Sequence, residues 1–216
     1  MFENARPEQF GRLGFDPSAV PGGVYGLLNS LVVPRPIAWV SSRSAAGVDN
    51  LAPHSYFTVS SVIPPVVQFT SVGTKDSLRN ITATGEFVVS VCTEALKTLV
   101  NDTATDFPPE VSEFDACGVT REPSAVVAPP RVAESPVSME CRLAGTKSFG
   151  ASTVIFGEVV WLAIKPGVIV NDRVAVDLLR PIARLGGADY TPVRDVFSIK
   201  RRSYREWQAA QEQPPG

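Results

Sequence analysis

The sequence has few of the residues that usually carry acid–base or metal chemistry. Its 216 residues include one histidine, His54, and three cysteines, Cys92, Cys117 and Cys141. One imidazole and no C-x-x-C pair argue against a zinc site of the usual nitrogen and sulfur type, and a serine triad would depend on His54 alone. The odd number and wide spacing of the cysteines favour reduced thiols. Because Cys92 and Cys141 lie in apolar, strand-like runs, we interpret both as buried structural thiols.

Common nucleotide, nucleic-acid and membrane patterns are also missing. The sequence contains neither the G-x-x-x-x-G-K pattern of a P-loop nor the G-x-G-x-x-G pattern of a stably held dinucleotide. The net charge is −2 and the basic residues are scattered, which argues against nucleic-acid binding. No run approaches the ~18 apolar residues of a membrane helix, and no basic segment followed by an apolar run opens the chain. We therefore expect a cytoplasmic protein whose partner is a small molecule.

The composition indicates a mainly β fold in one domain. Hydrophobic residues make up 44% of the chain, and the 19 prolines fall at the ends of apolar runs instead of inside helical patterns. We expect a single domain over residues 1–216 with a core of about 20–200. Gly157 is a plausible bulge or corner where a sheet could curl into a closed or partly closed barrel. The predicted strands are 36–42, 55–61, 66–71, 86–92, 138–144, 153–164 and 174–179.

Helical patterns are fewer. The segment 75–85 predicts a short helix with Asp76 or Ser77 as N-cap and Gly85 just past its end. Residues 93–105 predict a second helix, and 203–211 a third, surface-exposed one. The proline-rich segment 119–137 has no sustained period and is predicted to run extended over the surface.

Three segments in the first half are rich in hydroxyl, glycine and amide groups: 40–50, 50–55 and 70–77. Each borders a predicted strand, so the three could converge as loops. Hydroxyl and glycine residues let backbone N–H groups approach a phosphate, Lys75 adds a charge, and a helix N-terminus favours an anion. The Asn50 end offers the in-plane donors and acceptors that a flat heteroaromatic ring requires. Two simpler readings remain open: residues 45–50 are only a hairpin turn, and 73–77 only a helix start.

The order of several short motifs resembles the flavin reductase-like family of FMN-binding split barrels. The resemblance covers about residues 20–200. The motifs are "RPIAWVSS" at 35–42, "NLAPHSYF" at 50–57, "KDS" at 75–77, "TGEFVVSV" at 84–91, "SEFDACGVT" at 112–120, "PPRVAESPVSMEC" at 129–141, "GEVV" at 157–160 and "RPIARLGGADY" at 180–190.

The resemblance implies a six-stranded antiparallel split β-barrel with a few peripheral helices, assembled as a homodimer with FMN at the subunit interface. The implied phosphate contacts are Ser41, Ser42, Ser71, Lys75, Asp76 and Ser77. The implied ring cradle is Asn50, Leu51, Ala52, Pro53 and Ser55. The family often has Phe or Tyr where this chain has His54, which favours a contact or structural role for His54 over proton transfer. No catalytic residue is assigned, and Arg35 and Arg184 are left without a role.

The function implied is that of an FMN-binding oxidoreductase. A flavin carries hydride and electron chemistry in its own ring, so a shortage of ionisable side chains is expected. NADH or NADPH would then visit as a transient hydride donor, and the electron acceptor is open. The alternative is a non-enzymatic FMN carrier or electron-transfer flavoprotein. A third reading, oxidation of a phosphorylated pyridine, would need more basic residues near the ring than the sequence shows.

Overall fold

A seven-stranded antiparallel sheet dominates the computed structural model, which describes residues 6–211. The spatial order of its strands is β2-β1-β5-β6-β7-β4-β3. In chain order these strands are β1 (Ala38–Arg43), β2 (Asp49–His54), β3 (Phe57–Val62), β4 (Pro65–Val72), β5 (Glu86–Val91), β6 (Val137–Phe149) and β7 (Ser152–Ile164). The mainly β prediction is confirmed, but the predicted count of six strands is wrong, and the sheet is open because β2 and β3 each pair on one side only.

The strand that the sequence analysis missed is β2, which we predicted as a loop. It pairs with β1 through a hairpin whose turn is closed by the Ser44 N–H donating to the Val48 carbonyl at 2.8 Å. Gly47 in this turn has a φ of 88°, which favours glycine. Pro53 concealed the strand, since proline is unfavourable inside a sheet. It is tolerated here because β2 is an edge strand, and Pro53 faces the side that has no neighbouring strand.

Residues 6–211 contain six α-helices. They are α1 (Tyr25–Leu31), α2 (Asp76–Thr84), α3 (Lys97–Asp102), α4 (Glu113–Ala116), α5 (Val176–Leu179) and α6 (Tyr204–Gln211). Single 3₁₀ turns lie at Gln9–Gly11, Pro17–Ala19, Glu94–Leu96 and Pro166–Val168. The described helices are too short and too polar for any of them to cross a bilayer.

Short strands complete the structure. Arg35–Pro36, Ile182–Arg184 and Tyr190–Pro192 form a three-stranded sheet, and three two-stranded ribbons pair Arg6–Pro7 with Leu13–Gly14, Arg121–Glu122 with Arg131–Val132, and Ile169–Val170 with Arg173–Val174. The predicted strand 174–179 is therefore wrong beyond residue 174, because the next residues turn into α5. Inside the segment 119–137, the ribbon of Arg121–Glu122 and Arg131–Val132 is joined by bends and turns. The prediction that this segment runs extended over the surface is wrong in part, because Val119, Val132 and Ser135 are buried.

The boundaries of α2 and α3 differ from those predicted. The N-cap of α2 is Lys75, one residue before the predicted Asp76, whereas Gly85 has the expected left-handed conformation, with φ 75°. The predicted helix 93–105 is shorter and divides into the turn Glu94–Leu96 and α3. Thr103 ends α3 because its hydroxyl donates to the Val100 carbonyl and accepts the indole N–H of Trp39 at 2.9 Å.

Two apolar clusters form the core on opposite faces of β1. Trp39 packs in the cluster that includes residues of α3 and α4, whereas Ala38 and Val40 pack with residues of α2, β4 and β5. The alternation of side chains along a strand thus buries β1 on both faces. Gly157 lies in the second region: a Cβ there would be 2.2 Å from Cζ of the buried Phe87. Gly157 is not the bulged residue that we predicted: it pairs with Leu143 and Val67, and the β6–β7 register shifts on the opposite strand, between Leu143 and Gly145.

Candidate functional site

A cleft of about 460 Å³ lies where β2 meets the start of α2. This volume falls within the range of roughly 300–1,000 Å³ typical of small-molecule sites. One wall is β2 and the residues after it, and the opposite wall is the chain that follows α3. Its lining residues are Tyr25, Asn50, Ala52, Pro53, His54, Ser55, Tyr56, Thr70, Val72, Thr74, Lys75, Asp76, Ser77, Arg79, Thr103, Ala104, Thr105, Asp106, Phe107, Pro109 and Glu113.

The structure brings two of the three predicted segments together, 50–55 and 70–77. Of the residues that the sequence analysis named, those lining the cleft are Asn50, Ala52, Pro53, Ser55, Lys75, Asp76 and Ser77. The segment 40–48 does not line the cleft, because it forms β1 and the hairpin turn. For this segment, the simpler reading as a hairpin describes the structure better than a loop at the site.

The remaining predicted residues, Ser41, Ser42, Leu51 and Ser71, do not line the cleft. All four are almost completely buried. The Ser41 hydroxyl donates to the Pro130 carbonyl, the Ser42 hydroxyl accepts from the Asn80 amide, and the Ser71 hydroxyl donates to the Gly73 carbonyl. The Leu51 side chain belongs to the core cluster of Trp39. Their side chains are therefore engaged inside the fold and not presented to a ligand in the cleft.

The outer edge of β2 forms one side of the cleft. The Leu51 N–H points away from β1 and donates to Oε2 of Glu113 at 2.8 Å. Since residues two apart in a strand point the same way, the Pro53 backbone also faces this edge, where it has no N–H to leave unpaired. The edge is thus protected from pairing with another strand and still presents carbonyl groups to the cleft.

A polar network connects β2 to α2 and α4. The Asn50 side chain lies 3.2 Å from the Ser77 hydroxyl. When its amide nitrogen is turned toward α4, that nitrogen donates to Oε1 of Glu113 at 3.2 Å. In that orientation its oxygen accepts from both Ser77 and the Leu51 N–H. His54 Nε2 lies 3.2 Å from the same Ser77 hydroxyl, whose single proton is donated either to Asn50 or to His54. Four side chains from three elements therefore share one set of hydrogen bonds beside the cleft.

His54 is neutral at pH 7. Its pKa is lowered to about 4, mainly because burial disfavours the charged imidazolium; a hydrogen bond with the Thr70 backbone opposes this effect and the nearby Lys75 charge adds to it. The imidazole packs against Phe69 with the ring centroids 4.6 Å apart. This environment supports a contact and hydrogen-bonding role for His54.

Glu113 is the buried acid of the site. Burial raises the pKa of its carboxyl group, the Leu51 N–H bond lowers it, and the Asp76 charge raises it. Only 5% of the residue is exposed. A carboxylate that is removed from water in this way is held by the hydrogen bonds it accepts from Leu51 and Asn50.

The start of α2 provides donors for an anion. The first helical backbone bond runs from the Arg79 N–H to the Lys75 carbonyl, so the N–H groups of residues 76–78 have no intrahelical acceptor. The Lys75 ammonium pairs with Asp106 at 2.7 Å, but both side chains are largely exposed. Such an exposed pair is weak, so Lys75 is free to exchange Asp106 for a stronger anion. Arg79 is engaged with Asp76 and with the Thr74 carbonyl.

Several lining residues were missed by the sequence analysis. Tyr25, Arg79, Glu113 and the segment 103–107 come from parts of the chain that carried no recognisable ligand pattern. Glu113 lies in the motif "SEFDACGVT", but its position there is typical of an ordinary acidic residue in the first turn of a helix. For 103–107, the prediction of a longer helix concealed a loop.

The fold and the site define a mainly β protein with a polar cleft at a helix N-terminus, and the sequence comparisons give its family. Residues 30–175 match the model of the flavin reductase like domain. A relative from Deinococcus radiodurans is 40% identical over 211 residues, covering 90% of this chain and 92% of the relative. The chain therefore belongs to the flavin reductase-like family, and the resemblance found in the sequence is confirmed.

Two solved structures are similar in both fold and sequence. Nitrilotriacetate monooxygenase component B from Bacillus cereus has a TM-score of 0.84 and 32% identity, covering 87% of this chain and 98% of that chain. The 2-nitrobenzoate 2-nitroreductase from Pseudomonas fluorescens has a TM-score of 0.82 and 31% identity, covering 88% of this chain and 97% of that chain. The fold described above is thus shared along nearly the full length of both proteins.

Proposed function

We propose that this protein is an FMN-binding oxidoreductase that takes hydride from NADH or NADPH. The observation that carries the proposal is the cleft in which the open edge of β2 faces the N-terminus of α2. The family is that of flavin reductase-like domains, and the similar solved proteins include a monooxygenase component and a nitroreductase. Both names are compatible with flavin-dependent electron transfer.

The residues of the cleft fit the two chemically different ends of FMN. At the phosphate end, the free N–H groups of α2, the Lys75 ammonium and the Thr74 hydroxyl would hold the anion, because the helix dipole and the lysine both favour negative charge. At the ring end, Ala52 and Pro53 offer an apolar surface, while Asn50 and Ser55 offer polar groups. We keep Asp76 and Ser77 in the proposed site as the first turn of α2.

Bound flavin would supply the hydride and electron chemistry, and the chain would position it. Asn50 is held by Ser77 and Glu113, so its amide is oriented before a ligand arrives. Neutral His54 supports Ser77 from the other side without placing a cation beside the ring. Such pre-orientation reduces the ordering cost of binding.

The test is anaerobic mixing of the FMN-loaded protein with NADH and, separately, NADPH, followed by flavin absorbance. We expect bleaching with at least one donor. Binding without bleaching by either donor would refute the reductase function and leave the carrier or electron-transfer alternative.

The location of FMN is tested separately by titrating flavin-free protein with FMN. Asn50→Ala and Lys75→Ala should each weaken binding, Lys75→Ala by roughly tenfold if a charge-assisted bond to phosphate is lost. Lys97→Ala is the matched control, because Lys97 is an exposed lysine of α3 that does not line the cleft. Unchanged FMN affinity in both cleft variants would place the site elsewhere.

We also propose that the protein is a cytoplasmic homodimer. Exposed apolar side chains on and after β3 support the dimer: Val59 is 63% exposed, Val62 78% and Ile63 91%. We infer that these three side chains, which are close in the chain, belong to one apolar contact surface. Light scattering coupled to gel filtration should give twice the 23.1 kDa chain mass, and Ile63→Asp should shift the mass toward the monomer.

A further inference from the structure

A second, smaller cavity of about 270 Å³ adjoins the proposed flavin cleft. The two share Tyr25, Pro53, Ser55 and Ala104 as lining residues, so a molecule in one would lie next to a molecule in the other. The walls particular to the smaller cavity are Gly26, Asn29, Arg35, Ile37, Arg184, Leu185, Gly187 and Tyr190. Among the described residues, both charged residues of this lining are arginines and none is acidic.

Arg35 is a buried cation without a carboxylate partner in the part of the chain that the structure describes. Only 6% of the residue is exposed. Its Nη1 donates to the carbonyls of Asn29 and Val32, and its Nη2 to the Leu185 carbonyl at 2.8 Å, while its buried Nε has no partner. Carbonyl dipoles compensate a buried guanidinium charge only in part, because burying a charge is costly unless it is paired.

Arg184 is the direct cross-strand neighbour of Arg35 in the three-stranded sheet. Like charges at opposed positions of an antiparallel pair destabilise the sheet. Arg184 stacks over the Tyr190 ring at 4.4 Å and donates through Nη2 to the Gly187 carbonyl at 2.6 Å. Within residues 6–211 it has no ion pair, so its remaining N–H groups are available. Two opposed arginines without a counter-ion form an arrangement that an anion would stabilise.

We propose that this cavity binds the carboxylate of a small one-ring organic acid. A guanidinium presents N–H groups in a planar fork that matches the two oxygens of a carboxylate. Tyr25, Ile37 and Tyr190 provide apolar and aromatic walls for a ring. The volume lies below the usual range for drug-sized ligands, which favours a single-ring molecule over a whole dinucleotide. The proposal rests on the proposed function in one respect: the bound acid would lie beside a flavin in the larger cleft.

The test uses benzoate as the probe and benzamide as its uncharged counterpart, each titrated calorimetrically into flavin-free and FMN-loaded protein. Benzoate should bind at least tenfold more tightly than benzamide, since a charge-assisted hydrogen bond is lost in the amide. Arg184→Gln should weaken benzoate binding by about tenfold or more and leave FMN affinity unchanged. Arg173→Gln is the matched control, because Arg173 is exposed and does not line the cavity.

Equal affinity for benzoate and benzamide, or benzoate binding that Arg184→Gln does not change, would overturn the proposal. The proposal would also be overturned if inorganic phosphate bound more tightly than benzoate and Arg184→Gln abolished phosphate binding. The site would then suit a phosphate group of a nucleotide. The flavin-free titration separates the two proposals. Charge-dependent benzoate binding by a protein that does not retain FMN would support the carboxylate site and count against the flavin function.

Discussion

Replacing His54 should remove a pH-dependent part of the stability. In the folded protein the pKa of His54 is about 4, whereas the ordinary value for a histidine is 6.5. A depressed pKa contributes stability that is fully present above 6.5 and is lost as the pH falls toward 4. The shift of about 2.5 pH units corresponds to about 3.4 kcal/mol when the loss is complete, and to about 2.5 kcal/mol at pH 4.5. Because His54 is only half-buried, solvent screening makes these figures upper bounds.

The assay is urea denaturation of flavin-free wild-type protein and His54→Phe at pH 7.5, 6.5, 5.5 and 4.5. Phenylalanine keeps an aromatic ring against Phe69 and removes the titrating group. The stability difference, wild type minus variant, should fall by up to about 2.5 kcal/mol between pH 7.5 and 4.5, with most of the change below pH 6.5. Titration of other groups, such as Glu113, largely cancels in this difference. A stability difference that stays constant with pH would refute the assignment of a half-buried imidazole that is neutral in the folded protein.

The other predictions concern Glu113 and Gly157. The pKa of Glu113 is raised, so wild-type protein should lose stability relative to Glu113→Gln as the pH rises above 4.5, the pKa of the unfolded carboxyl group. This direction is opposite to that of His54. Urea denaturation at pH 4 and pH 7 tests it, and a stability difference between the two proteins that is the same at both pH values would contradict it. Gly157→Ala would place a methyl group against the Phe87 ring and should destabilise the protein by about 1–3 kcal/mol. Gly167→Ala, which has open space around its Cβ position, should not destabilise it. Equal unfolding free energies for the two variants would show that Phe87 moves aside.

The strands that were predicted correctly are those whose own side chains specify them. β1, β4, β5 and β7 are apolar runs with proline or glycine near their ends, and this pattern is local. β2 was not predicted because half of its residues are polar and Pro53 lies inside it, and only the pairing with β1 makes such a segment a strand. The run 174–179 failed in the opposite way: its apolar residues suit a strand, but after Val174 no partner continues the pairing and the chain turns into α5.

The residues of the candidate site were likewise predicted only in part. Asn50, Ser55 and the start of α2 were identified from motifs because their chemistry lies within short segments. Ser41 and Ser42 have equally suitable hydroxyl groups, yet β1 is covered on both sides and their hydroxyls are bonded inside the fold. Residue type indicates what a side chain can bind, and the fold decides whether that side chain reaches the cleft, as Asn50 and Ser77 do and Ser41 and Ser42 do not.

By itself, the sequence determined the mainly β class, the helix that ends at Gly85 and the family to which the chain belongs, because strand propensity, capping and short motifs are properties of neighbouring residues. Only the tertiary structure decided that Glu113 supports the edge of β2 and that Arg35 and Arg184 oppose each other with no carboxylate partner among residues 6–211. The physical reason is that burial and charge compensation depend on residues far apart in the chain, and no local pattern records which of them will meet.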